Sequence, residues 1–73
     1  MKAILEFTLP EEQVEFDCAV DGVKWMSAMW DLDQYLRNQL KYESEGMSED
    51  KLNAIKELRI KLHEILNEEG LKL

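Results

Sequence analysis

Val23-Lys24-Trp25-Met26-Ser27-Ala28-Met29-Trp30 is the stretch whose reading decides the fold. Six of these eight residues are apolar, and both tryptophans of the chain are here. In a helix that turns about 100° per residue, Trp25 and Trp30 point some 140° apart, so one packed neighbour cannot cover both. A helix that is apolar on two sides is buried on two sides. This chain of 73 residues has little material for that, since a core of such a size barely offsets chain entropy.

Working outward from that belt, two stripes run along residues 10–42. Val14, Cys18, Trp25, Met29, Leu32, Leu36 and Leu40 share roughly 80° of arc, the expected seam against a partner helix. Phe16, Ala19, Val23, Met26 and Trp30 form a second stripe confined to the first half; beyond Trp30 that face turns polar, with Arg37 and Lys41. A hairpin is the rival reading of residues 14–25. Val14, Phe16, Cys18 and Val20 alternate ahead of Asp21-Gly22, and Asp-Gly between alternating apolar residues is a hairpin signal. The unbroken stripe across residues 14–40 favours helix.

Upstream, Ala3, Leu5, Phe7 and Leu9 alternate with Lys2, Ile4, Glu6 and Thr8, the period of a half-buried strand over residues 2–9. Pro10 followed by Glu11 and Glu12 then reads as a helix start. Downstream, residues 43–48 form a polar loop, and Ser48 is a good N-cap for a second helix over residues 49–69. Leu52, Ile55, Leu58, Leu62, Ile65 and Leu66 supply its seam, and Gly70 ends it. Leu71-Lys72-Leu73 alternates and would extend beside the N-terminal strand. The expected fold is mainly α and a single domain over residues 1–73: a short strand, a long amphipathic helix and a second antiparallel helix. A helical hairpin of this kind is expected to assemble as a homo-oligomer, with Phe16, Val23, Trp25, Met26, Met29 and Trp30 at the interface.

The net charge is −7, and it is uneven. Residues 1–33 hold eight acids against two lysines, whereas residues 34–73 hold eight acids against seven basic residues. That balance argues against direct contact with nucleic acid or an anionic membrane and favours a basic partner. One cysteine and no run of spanning length fit a soluble, cytoplasmic chain, and no ligand set points to a metal or other cofactor.

Catalytic constellations are nearly absent. His63, the only histidine, would need a nucleophile or a carboxylate in a cleft, and otherwise is a boundary histidine beside the Leu62 seam. Cys18 reads as a small buried hydrophobe. Glu11, Glu15, Asp17 and Asp21 are the candidate surface for a basic partner, lacking the loop geometry of a calcium site. Asp33 and Arg37 make an i, i+4 pair. Tyr35, Arg37, Lys41 and Tyr42 could instead form an anionic-ligand pocket, with aromatic platforms for a base and cations for phosphates, so a nucleotide ligand is the alternative partner.

At Leu5-Glu6-Phe7, Leu9-Pro10-Glu11-Glu12, Trp30-Asp31-Leu32-Asp33-Gln34-Tyr35-Leu36-Arg37 and Lys41-Tyr42-Glu43, the chain resembles small acidic proteins of tailed bacteriophages. The likeness runs the full length, to Asn67-Glu68-Glu69-Gly70. The resemblance implies a viral source and a host-cell setting, and it carries over no functional residue. Phage genes of this size and charge often encode inhibitors of host enzymes or defence systems. The leading expectation is therefore a non-enzymatic accessory protein that binds and inhibits a host protein of defence or nucleic-acid handling. A sponge for a nucleotide second messenger and a structural or assembly oligomer of the virion are the alternatives.

Overall fold

The computed structural model describes every residue, Met1–Leu73. The chain is mainly helical: two helices, no strand, folded as a hairpin. Helix α1 spans Gln13–Lys41 and α2 spans Glu49–Glu68. At about 1.5 Å per residue they measure roughly 44 and 30 Å.

The expected strand over residues 2–9 does not form. A strand is stable only when its backbone groups pair in a ladder, and no second strand exists for residues 2–9 to join. Residues 1–7 have no regular structure, and Thr8–Glu12 make a turn. Glu12 N–H donates to the Thr8 carbonyl at 2.8 Å, and Thr8 N–H donates back to Glu12 Oε1 at 2.8 Å. This reciprocal pair spans Pro10, and regular helix begins only at Gln13, not at Pro10. Phe7 folds back so that its ring meets Phe16 edge-on, with centroids 6.0 Å apart.

The hairpin reading of residues 14–25 is also excluded, because α1 runs unbroken through Asp21-Gly22. Positive φ occurs only at Gly46 and Gly70, so Gly22 does not take the backbone angle that an Asp-Gly turn requires.

Helix α2 is closed at both ends by local chemistry. Ser48 Oγ accepts from Lys51 N–H at 3.2 Å, a side-chain N-cap. At the other end Gly70 has φ 69°. Its N–H donates to the Asn67 carbonyl at 3.0 Å, and Leu71 N–H donates to the Leu66 carbonyl at 2.8 Å. These are the two bonds of a Schellman motif. The turn sends Leu71–Leu73 back across α1, where they line a groove with Met26 and Trp30, so the tail packs on the helix instead of adding to a strand.

The interior is small. Asp33, Leu36 and Leu66 are the only buried residues. In its second half the expected α1 seam holds at Leu36, with Met29 and Leu40 half-buried around it, but Leu32 is exposed on the edge of that arc. In its first half Val14, Cys18 and Trp25 are exposed, because α2 is too short to reach them. Two α2 seam positions are corrected as well: Leu58 and Ile65 are 60% and 49% exposed, while Leu52, Ile55, Leu62 and Leu66 face α1. Leu58 and Ile65 lie about 90° of arc to one side of that face.

Since the Ser48 cap satisfies an otherwise free N–H, Ser48→Ala is expected to lower unfolding stability by about 1 kcal/mol in denaturant titration. Loss of α2 helicity with no change in the α1 signal would contradict the two helices folding as one hairpin.

Candidate functional site

The polar link between the helices is centred on Asp33, which is 4% exposed. Asp33 lies within the α2-facing arc of α1, about 40° from Met29 and 20° from Leu40. On α2, Arg59 and His63 are four residues apart and so share a face. Both reach the same carboxylate oxygen. Arg59 Nε donates to Asp33 Oδ1 at 3.0 Å, and His63 Nε2 lies 2.7 Å from it. A buried carboxylate is tolerated when paired and hydrogen-bonded in this way.

The Arg59 hydrogen bond is the main force holding the Asp33 carboxyl below its ordinary value. Burial opposes it; the His63 bond and the charges of both partners add to it. The expected Asp33–Arg37 pair is therefore replaced by a contact across the hairpin. His63 has the carboxylate that general-base chemistry asks for, and its side chain is 44% exposed. The shallow depression beside it is lined by Arg59, Ile60, His63, Glu64 and Asn67, none of them a nucleophile. As it stands the cluster orients an imidazole and clamps two helices. One sequence signal could have revealed it: Asp33 is a charge set among apolar seam positions, opposite a helix that carries an arginine and a histidine at i and i+4.

The other candidate groups are dispersed. Asp17 and Asp21 lie on one side of α1, and Glu15 lies about 140° of arc away; Glu11 precedes the helix. Gln13 Nε2 donates to Asp17 Oδ1 at 3.0 Å, and Asp21 Oδ1 lies 3.6 Å from Lys24 Nζ. Tyr35 and Tyr42 share one side, while Arg37 and Lys41 share another about 130° away. Lys41 Nζ sits 5.3 Å from the Tyr42 ring centroid, yet none of these four residues lines a cavity of the chain. No group of three or more His, Cys, Asp or Glu is placed to hold a metal ion. No helix is long and apolar enough to cross a membrane.

The interface candidates are the most coherent group. Phe16, Val23, Trp25, Met26 and Trp30 are all exposed, the tryptophans 63% and 50%, and Met29 is half-buried. An apolar groove of about 390 Å³ lies where the tail crosses α1, between Trp25, Met26 and Met29 on one wall and Leu66, Leu71 and Leu73 on the other. The chain matches no protein-family model, no curated protein and no solved structure.

Because the folded-state value of Asp33 is depressed below 3.8, its contribution to stability is complete above that value. It is lost as pH falls through the folded value. Asp33→Asn is expected to remove about 1–2 kcal/mol at neutral pH, where the carboxylate is ionised, and to flatten the acid limb of the stability curve. An unchanged acid limb would show that the carboxylate is not the group lost on acidification.

Proposed function

We propose that this chain is a non-enzymatic accessory protein of phage type that acts by binding a host protein and inhibiting it. The reading is supported chiefly by one observation: only three residues are buried, while large apolar and acidic side chains are exposed together along the first half of α1. Contact surface is what such a helix offers. Chemistry would call for a cavity with converging groups, and the Asp33 cluster has no nucleophile beside it.

The partner we infer is a basic surface on a host protein of defence or nucleic-acid handling. Net charge of −7 repels phosphate backbones and favours the protein surfaces that bind them. Asp17, Asp21 and Asp31 are exposed or half-exposed acids on the side of α1 turned from α2, with Tyr35 and Tyr42 further along that side. Exposed carboxylates of this kind set association rate and partner choice more than final affinity. The working form is a homo-oligomer that keeps this side outward.

The test is kinetic. A host protein isolated on the chain should bind with an association rate that falls steeply as salt is raised, and Asp17→Lys with Asp21→Lys should slow it about tenfold or more at low salt. A captured protein whose association ignores both salt and charge reversal contradicts the proposal.

A further inference from the structure

We propose that the apolar face of α1 through Phe16, Val23, Met26 and Trp30 is covered by the same face of a second copy, packed antiparallel about a twofold axis near Met26 and Ser27. This deepens the binding reading above by naming the occupant of the belt, and it can stand or fall without the host partner.

The first argument is area. One chain exposes 6470 Å², whereas a compact monomer of its mass would expose about 4,700 Å². The radius of gyration is 17.3 Å, against roughly 11 Å for a compact domain of this length. The excess surface is well above the ~800 Å² per partner that a stable interface buries. Length says where it lies. Asp33 opposite Arg59 and His63 sets the register, so α2 ends about level with Met26, and residues 13–25 extend past it. Phe7 and the Leu71–Leu73 tail cover this overhang only in part.

The second argument is charge. Glu15, the apolar stripe, and then Arg37 and Lys41 follow one another along the same face of α1, within about 100° of arc, and Glu12 sits at its N-cap. Glu15, Arg37 and Lys41 have no ion-pair partner in their own chain. Reversing a second copy about Met26–Ser27 sets Trp30 beside the partner's Val23. The same operation brings Arg37 beside the partner's Glu15 and Lys41 beside the partner's Glu12. The twofold repeats each contact. A parallel pairing would instead place acid against acid and cation against cation, which is unfavourable.

Native mass and sedimentation equilibrium test this with paired charge reversals. The wild-type chain is expected at twice its 8.6 kDa mass. Arg37→Glu with Lys41→Glu, or Glu12→Lys with Glu15→Lys, should each raise the dimer dissociation constant at least about tenfold. An equimolar mixture of the two variants should recover wild-type association, because both ends of the mixed dimer regain opposite charges. Trp30→Glu, at a position exposed in one chain, should leave helicity intact and give monomer. A wild-type monomer at high concentration overturns the proposal. So does a dimer indifferent to both reversals, or a mixture that binds more tightly than wild type, which is the mark of parallel pairing.

Discussion

Because the contact of Asp33 with Arg59 and His63 fixes where α2 lies along α1, the 20-residue helix stops about level with Met26. The first half of the 29-residue helix is left without a helical neighbour from its own chain. Most other features follow from that offset. Leu36 and Leu66 are buried where the helices overlap, and the tryptophans are exposed at and beyond the end of the overlap. The Schellman turn at Gly70 steers Leu71–Leu73 toward the gap, and Phe7 packs on Phe16 at the far end. Two short segments are thus spent on a surface that needs a whole helix.

The Asp33 cluster suits this task. A few apolar contacts along an overlap of about 24 Å discriminate poorly between registers one turn apart, whereas a buried carboxylate must meet its hydrogen-bond partners. Sliding α2 by a turn would leave Asp33 without Arg59 or without His63. The cluster therefore fixes position more than it adds stability, and that position determines which surface stays open. An exposed acid-rich helix on a chain of net charge −7 is then well placed to meet a basic protein surface.

Several parts of this were legible in the sequence, for physical reasons. The helical period across residues 14–40, the Ser48 cap and the Gly70 stop are local signals, and each appears in the structure. Alternation over residues 2–9 describes a strand's two faces but does not supply the ladder partner, so no strand forms there. Leu58 and Ile65 were assigned to the seam because spacing alone gives an apolar arc and not its centre; the packing puts that centre on Ile55, Leu62 and Leu66. Spacing along one helix suggests Asp33 with Arg37, but it carries no report of the register of the other helix, which brings Arg59 and His63 to Asp33 instead. The two-sided belt was visible from Trp25 and Trp30 alone, and its exposure in a single chain agrees with that arithmetic.

Tryptophan fluorescence as a function of protein concentration tests the central claim most directly, because both indoles lie in the belt. If a second copy covers it, emission shifts to the blue and iodide quenching weakens as concentration rises through the dimer dissociation constant, with helicity constant. Emission and quenching that stay those of water-exposed indoles at every concentration, in a protein that remains helical, would contradict the account. The belt would then be open in the working protein.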